Sequence, residues 1–248
     1  MEFRRIDHGV VDSTNERAFA QIADGSARHG DVHVARGQTQ GRGRRGRTWF
    51  SEPGQGLYLS LVLLPQHPLR PAALTVATGL ALLDLAHEIG VADARLKWPN
   101  DLIVGDAKLA GILVETRGFQ QDRPHYIVGV GLNVLQVDFP DELLEDRDVT
   151  SLGRLGCEIA MGDVEQQLLA TLSRRIEQVV ATPEQLQRDY PPAAGLEGRT
   201  LRVETSEGQH RGLLTSFDFE HGLTVETSGG SRRILLEHVR QVVPLDPI

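Results

Sequence analysis

An apolar stripe at helical spacing over residues 71–89 constrains the fold of this chain more than any other feature. Its members recur every three or four residues, which places them on one face of an α-helix, and Gly90 ends it. The segment is too short for a membrane span and carries Asp84, His87 and Glu88, so we predict a buried helix. The stripe consists of Leu74, Ala77, Ala81, Leu85 and Ile89.

Two more helices and five strands are predicted around this helix. The Ser-Thr-Asn-Glu pattern at Ser13 is a capping box that opens a helix through Ile22, and Asp163 caps a helix with a second apolar stripe. Helices and strands alternate only loosely, so we expect an α+β fold, a mixed β-sheet with helices packed on it. The predicted strands are residues 32–35, 57–64, 95–98, 109–116 and 126–134.

The composition changes after Tyr190, and the segment Pro-Pro-Ala-Ala-Gly at 191–195 suggests a linker. Glycines and charged turns then separate short strand candidates at 200–205, 212–217, 223–226 and 233–236. Short strands at such regular spacing predict a small C-terminal SH3-like β-barrel. We therefore expect one domain over residues 1–190 and an SH3-like domain over 195–248.

Charge and cysteine content exclude several classes of protein. A formal net charge of -8 argues against a protein that mainly binds nucleic acid, which needs a basic face. The single cysteine, Cys157, allows no internal disulfide and suggests no metal cluster. The first seven residues show no apolar run after their basic pair, so no secretory signal is predicted. We expect a cytoplasmic protein without a membrane segment.

The most distinctive segment is the glycine- and arginine-rich stretch at 38–50, with four arginines within residues 42–47. The arginines repel one another and the glycines leave the backbone free, so the segment suits an anion-binding loop that becomes ordered over its ligand. A solvated basic loop or an RNA tether is the alternative. Its place inside a folded, acidic chain favours the anion-binding loop.

Four other segments could carry chemistry, and each also has a purely structural explanation. Lys-Trp-Pro-Asn-Asp at 97–101 is a good turn between strands. Gly111, in the strand 108–115, indicates a close backbone approach to a ligand or a β-bulge. Gly129 and Gly131 share one strand face and could leave room for a flat ring. Ser13 and Thr14 are helix-cap residues as well as candidate ligand contacts.

In their order along the chain, these motifs closely resemble the bacterial biotin protein ligases. The resemblance rests on Asp-Ser-Thr-Asn at 12–15, Gly-Arg-Gly-Arg-Arg-Gly-Arg at 41–47, Lys-Trp-Pro-Asn-Asp at 97–101, Lys-Leu-Ala-Gly-Ile-Leu-Val-Glu at 108–115 and Gly-Val-Gly-Leu-Asn at 129–133. It implies a class II aminoacyl-tRNA synthetase/biotin–lipoyl ligase-like catalytic domain over 1–190. Only about a dozen residues precede Ser13, too few for a helix-turn-helix domain, so the resemblance is to the monofunctional class without DNA binding.

The resemblance also implies roles for particular residues. The catalytic residues would be Lys108, Arg44, Arg47 and Asp101. Biotin would contact Ser13, Thr14, Gln38, Gly41, Arg42, Arg44, Trp49, Lys108 and Gly111. ATP and the adenylate would contact Arg44, Arg47, Trp49, Lys97, Asn100, Lys108 and Asn133. Asp101 is also the nearest candidate for a Mg²⁺ ligand.

The implied reaction has two steps. Biotin reacts with MgATP to give biotinyl-5'-AMP and pyrophosphate, and biotin then passes to a lysine of a biotin carboxyl carrier protein. Biotin, ATP and Mg²⁺ are the expected ligands, and neither nucleic acid nor a membrane is an expected partner. A monomer and a homodimer both remain open.

Two other functions remain as alternatives. A lipoate or octanoate transferase of the same fold would need a long apolar tunnel and would lack the Lys-Trp-Pro-Asn-Asp segment. A nucleic-acid-binding protein using the arginine loop would show salt-sensitive binding, which a gel shift at low and high salt would detect.

Overall fold

A computed structural model of the chain describes residues 1–117, 119–120 and 123–245, so residues 246–248 of the predicted C-terminal domain lie outside the described part. The helices are α1 (Thr14–Ala23), α2 (Pro71–Glu88), α3 (Asp141–Asp146), α4 (Met161–Ala181) and α5 (Pro183–Ala193). The first eleven strands are β1 (Arg4–Asp7), β2 (Val10–Val11), β3 (Asp31–Ala35), β4 (Gly37–Gln38), β5 (Gly56–Leu63), β6 (Ala94–Lys97), β7 (Asp101–Val104), β8 (Ala107–Glu115), β9 (Phe119–Gln120), β10 (Arg123–Pro124) and β11 (Tyr126–Asn133). The last five are β12 (Thr200–Thr205), β13 (Gln209–Asp218), β14 (Gly222–Thr227), β15 (Gly230–Ile234) and β16 (Val239–Pro244).

Seven strands form a mixed central sheet in the order β1-β3-β5-β11-β8-β7-β6. Strands β1 and β3 are parallel, and the other neighbours are antiparallel. At the centre, the register of β11 and β8 places Gly131 opposite Gly111. A separate parallel pair, β2 with β4, brings Gln38 level with Val11, just before the start of α1.

Helices cover both faces of the central sheet, which confirms the predicted α+β class. Helices α2 and α4 pack on the face that carries Leu57, Leu59 and Leu61, all fully buried or nearly so. On the opposite face, Phe19 of α1 packs with Val62 and its neighbours. No helix among the described residues is long and apolar enough to cross a membrane.

The first predicted helix has the expected bounds but lacks the predicted capping bonds. Ser13 is the N-cap residue, yet its hydroxyl makes no capping hydrogen bond. Glu16, the acidic member of the pattern, instead forms ion pairs with Arg42 and Arg117. The ion pairs compete with the capping box for the same carboxylate. The helix predicted to begin at Asp163 begins at Met161, and Asp163 lies in its first turn.

The linker predicted at 191–195 is wrong in its first half. Helix α5 extends to Ala193 and contains Pro191 and Pro192 in its last turn. The Pro191 carbonyl accepts a bond from the Leu196 amide, which helps to satisfy the end of the helix. Tyr190 of the same helix is buried against the C-terminal strands.

The C-terminal segment is a five-stranded antiparallel sheet in the order β15-β14-β13-β12-β16. The predicted strands are present, and β16 is an additional strand. The sheet is not closed into the predicted barrel, since its edge strands β15 and β16 do not pair with each other. A 3₁₀ turn at Leu236–His238 carries the chain from β15 to the opposite edge, beside β12. Trp98 joins it to the central domain by donating a 3.3 Å bond to the Val239 carbonyl. The division into domains 1–190 and 195–248 remains a proposal.

A histidine pair, His8 just after β1 and His33 in β3, should make stability depend on pH. The rings of His8 and His33 stack with their centroids 5.1 Å apart, and a 2.9 Å bond joins His8 Nε2 to His33 Nδ1. Burial lowers the pKa of His33 to about 4. An unfolded chain takes up this proton near pH 6.5, so stability present above that pH is lost as the pH falls toward 4.

We expect His33→Gln to reduce the difference in unfolding free energy between pH 7 and pH 4.5 by about 2–3 kcal/mol. The measurement is urea unfolding at both pH values. His87→Gln, at an exposed position on α2, is the matched control and should leave the difference unchanged. Equal pH dependence in His33→Gln and the unmodified protein would contradict the assignment of this pH dependence to His33.

Candidate active site

A cleft of about 540 Å³ opens on the α1 face of the central sheet. The start of α1, the loop at 41–48, the β6–β7 turn and the middle of β8 and β11 converge on it. Its volume is typical of small-molecule sites, and its walls are largely polar and cationic. The lining residues include Ser13, Thr14, Asn15, Gln38, Arg42, Arg44, Arg47, Trp49, Lys97, Asn100, Asp101, Lys108, Gly111, Gly129, Gly131 and Arg147.

Glycines form the floor of the cleft, and the indole of Trp49 lies on two of them. A Cβ at Gly111 would lie 2.8 Å from Trp49 Cζ3, and one at Gly131 would lie 2.5 Å from Trp49 Nε1. The third glycine, Gly129, makes room for Asn15, whose Oδ1 would be 2.5 Å from an added Cβ. The space that Gly129 and Gly131 were expected to leave for a flat ring is therefore occupied by the side chains of Asn15 and Trp49.

The amide of Gln38 organises one end of the cleft. Its oxygen accepts bonds of 2.9 Å from the Thr14 amide and 3.2 Å from the Thr14 hydroxyl. Its nitrogen donates a 2.9 Å bond to Ser51 Oγ. Ser13 is also buried here, 3% exposed. This end of the cleft offers neutral donors and acceptors, which suit an uncharged polar group.

Lys108 and Asp101 form an ion pair at the other end, with 2.6 Å between Nζ and Oδ1. Burial lowers the pKa of Lys108, while the charge of Asp101 acts in the opposite direction. The ammonium also lies 5.2 Å from the centroid of the Trp49 ring. The backbone of Lys108 is fixed by a 2.9 Å bond from its amide to the Asp148 carbonyl. The cleft thus holds a partly desolvated cation in a defined position.

The arginine loop folds back on itself as a short hairpin. The Gly43 amide donates a 2.7 Å bond to the Arg47 carbonyl, and a backbone bridge joins Arg42 to Thr48. Among the described residues, Arg44 and Arg47 form no ion pair, and burial together with the charge of Arg45 lowers the pKa of Arg44. Two guanidinium groups are therefore free to bind an anion.

Most of the residues predicted from the sequence meet in this one cleft, although they come from distant parts of the chain. Gly41 and Asn133 are the exceptions. Gly41 lines a second cavity on the other side of the arginine loop. Asn133 is buried beneath the cleft, where its amide donates a 2.9 Å bond to the Thr150 carbonyl. Asn133 therefore supports the segment beside Lys108 rather than lining the wall.

Sequence reasoning missed several residues of the wall. Asn15 belongs to the recognised Asp-Ser-Thr-Asn motif, which could have indicated it. Arg147, with its neighbour Asp146, reaches the wall from the C-terminal end of α3, and no motif marks it. Glu204, Arg240 and Gln241 come from the C-terminal sheet. The packing of that sheet against Trp98 and Tyr190 brings them to the cleft.

Gly131→Ala should displace the Trp49 indole from the floor, because an added Cβ would lie well inside contact distance. Since the chain has two tryptophans, emission is measured in a Trp98→Phe background and should shift to the red as Trp49 becomes exposed. Gly162→Ala is the control, because nothing lies within 4 Å of its added Cβ. Unchanged emission in Gly131→Ala would show that Trp49 does not lie on the floor.

The fold and the cleft define an α+β protein with a cationic site suited to an anionic ligand. The model of the biotin/lipoate A/B protein ligase family matches residues 9–133. The chain is also 34% identical over 238 residues to the bifunctional ligase/repressor BirA of Bacillus subtilis, covering 92% of this chain and 71% of that protein. It belongs to the biotin/lipoate A/B protein ligase family.

Two further comparisons are with proteins named as biotin ligases. The biotin–[acetyl-CoA-carboxylase] ligase of Mycobacterium tuberculosis is 38% identical over 226 residues, with 88% of this chain and 81% of that protein covered. A biotin protein ligase from Aquifex aeolicus, solved with biotin and ATP, superposes with a TM-score of 0.80 at 28% identity. That superposition covers 97% of this chain and 99% of the other.

Proposed function

We propose that this chain is an ATP-dependent biotin–[biotin carboxyl-carrier protein] ligase that forms biotinyl-5'-AMP and transfers biotin to a lysine of the carrier. The observation that carries the proposal is the cleft itself. It joins a neutral polar end at Gln38 to a cationic end at Lys108. Biotin has the same two ends, an uncharged ureido ring and a carboxylate. Relatives and a solved structure with biotin and ATP support this substrate pair.

The first step joins two anions, the biotin carboxylate and the α-phosphate of ATP. Their repulsion must be offset before they can react, so cations in fixed positions supply most of the catalysis. Lys108 would lie between the two reacting groups. Arg44 would cover the biotin and phosphate end, and Arg47 would face the departing pyrophosphate. Both guanidiniums lie free in the cleft wall, which supports these roles.

Neutral groups would hold the rest of the intermediate. Ser13, Thr14 and Gln38 would bind the ureido ring with backbone groups of Gly111, whereas Gly41 lies in the second cavity and its carbonyl accepts a bond from the Trp49 amide. Trp49 offers a ring face and an indole N–H that is buried without a partner among the described residues. Lys97 and Asn100 lie in the wall where the nucleotide would sit. Asn133 would act on the adenylate only through the segment that it supports.

Mg²⁺ is expected with the nucleotide, and it would neutralise charge on the polyphosphate. Among the described residues, no three acidic, histidine or cysteine side chains form a metal cage. Asp101 faces the phosphate end but is already paired with Lys108. This donor set fits an ion carried by the ATP phosphates, with at most Asp101 as a protein ligand, since such sites keep several waters.

In the second step the acceptor lysine attacks the acyl-adenylate as a neutral amine, forming an amide as the acyl–phosphate bond breaks and AMP leaves. Asp101 would orient the incoming ammonium and accept its proton. Holding the amine in attack geometry contributes as well, since positioning replaces an encounter in solution. The acceptor would be the biotin carrier domain of a carboxylase, which meets the enzyme and ATP in the cytoplasm.

A biotin-dependent release of pyrophosphate from ATP, without any acceptor, tests the proposal. The purified protein should release about one equivalent and retain the adenylate until an acceptor arrives. Release that responds to lipoate or octanoate and not to biotin would overturn the substrate. The polar residues around Gln38 already disfavour that rival, because a fatty chain needs an apolar tunnel.

A further inference from the structure

The first arginine of the loop, Arg42, is bound to two carboxylates. Its Nη1 lies 2.7 Å from Glu16 Oε1, and its Nη2 lies 2.7 Å from Glu115 Oε2. Glu16 belongs to α1 and Glu115 ends β8. We call Glu16, Arg42 and Glu115 the carboxylate clamp. The clamp ties the stem of the loop to one helix and one strand of the central domain.

The clamp is anchored in the floor of the cleft through Asn15. The Asn15 amide donates a 2.7 Å bond to the same Glu115 oxygen that binds Arg42. Asn15 itself lies against Gly129 and accepts a bond from the buried Ser60 hydroxyl. An unbroken series of contacts therefore runs from the sheet to the loop stem.

The loop beyond the stem has little other support. A second cavity, of about 570 Å³, lies on its other side, and both cavities are lined by residues 42–45, 47 and 48. Among the described residues, Arg44, Arg45 and Arg47 make no ion pair. Among the described residues, the clamp is therefore the set of ion pairs that holds the stem of the loop in position.

The ion pairs of the clamp are partly buried. The side chains of Arg42, Glu16 and Glu115 are 35%, 32% and 25% exposed, so water screens the pairs only in part. Both pairs are charge-assisted hydrogen bonds with short N–O distances. They also neutralise one of four neighbouring arginines, which lowers the repulsion within the loop.

We propose that Glu16 and Glu115 are positioning residues for the loop. They hold Arg42 and the stem of the loop in the cleft wall, so that Arg44 and Arg47 face the anions. Arg42 is then part of the support as well as a candidate for the direct biotin contact that the sequence resemblance implies. The effect on catalysis rests on the proposed ligase function, whereas the effect on the loop does not.

Glu115→Gln tests the clamp while keeping the size of the side chain and its ability to bond Asn15. It should raise KM for biotin about tenfold, because loss of a charge-assisted bond frees the stem and the loop must be ordered on binding. The kcat should stay within about twofold, since the groups at the reacting atoms are unchanged. Glu165→Gln, which breaks the Arg5–Glu165 pair of β1 and α4, is the matched control and should change neither constant.

A double-mutant cycle of Glu115→Gln and Arg42→Gln tests whether Glu115 acts through Arg42. If it does, the double variant should lose no more biotin affinity than Arg42→Gln alone. Additive losses would overturn the proposal. Tighter biotin binding by Glu115→Gln would also overturn it, because it would show that the carboxylate restrains an anion-binding arginine.

Hydrogen exchange of the ligand-free protein gives a readout that does not depend on activity. Amides of residues 43–47 should exchange faster in Glu115→Gln and Glu16→Gln than in Glu165→Gln and the unmodified protein. Equal exchange in all four proteins would overturn the clamp. Failure of the unmodified protein to use biotin would refute the proposed function, while this comparison would still decide the clamp.

Discussion

Lys108→Ala should slow biotinyl-adenylate formation by about 10²–10³-fold, the usual loss when a group that stabilises developing charge is removed. Its side chain is 13% exposed, its ammonium lies 2.6 Å from Asp101, and in the proposed mechanism it would be the cation nearest the reacting phosphate. Biotin affinity should change much less, because the polar contacts around Gln38 hold the ureido ring. The measurement is biotin-dependent pyrophosphate release under single-turnover conditions, with affinity from calorimetry.

Lys108→Arg serves as the control because it keeps the charge and changes the shape. It should recover part of the rate, since its guanidinium can still meet both anions but cannot occupy the same point. Calorimetric biotin binding also shows whether each variant is folded. Near-normal turnover by Lys108→Ala would remove Lys108 from the mechanism.

Asp101→Asn should reduce transfer to the acceptor by about 10²-fold at neutral pH, the lower end of what general bases contribute. Adenylate formation should fall less, because no proton has to leave an amine in that step. The two steps are separated by forming the adenylate first and then adding the acceptor domain. Equal losses in both steps would instead assign Asp101 to Mg²⁺ binding or to structure.

The same variant should alter the pH dependence of the first step. Asp101 opposes the desolvation that lowers the pKa of Lys108, so its loss should lower that pKa further. Adenylate formation would then decline at a lower pH than in the unmodified protein. Asp106→Asn is the control. It makes the same change at an exposed position in the β7–β8 turn, where Asp106 is 86% exposed.

The elements with strong periodic patterns could be predicted from the sequence. The stripe of α2 and the apolar runs of β5 and β11 place each element within a residue or two. The prediction was wrong at the end of α5, where Pro191 and Pro192 suggest a break and yet occupy the last helical turn. Burial of Tyr190 against the C-terminal sheet favours helix there, and no local pattern reveals such a tertiary contact.

Part of the candidate site could likewise be predicted from the sequence, and part could not. Motifs indicated Lys108 and Asp101 because their types and order match a known chemistry. The pairing of Gly131 with Gly111, which makes room for Trp49, depends on strand register across 20 residues of sequence. The bond between Asn15 and Glu115 spans 100 residues, so only the folded sheet brings them together.

Intact-mass measurement of a biotin carrier domain tests the central claim most directly. The domain is incubated with the purified protein, biotin and MgATP, and parallel samples omit biotin or replace it with lipoate. The proposed function predicts that one biotinyl group is added at the carrier lysine, only when biotin and ATP are both present. A carrier whose mass stays unchanged with biotin, or increases with lipoate instead, would contradict it.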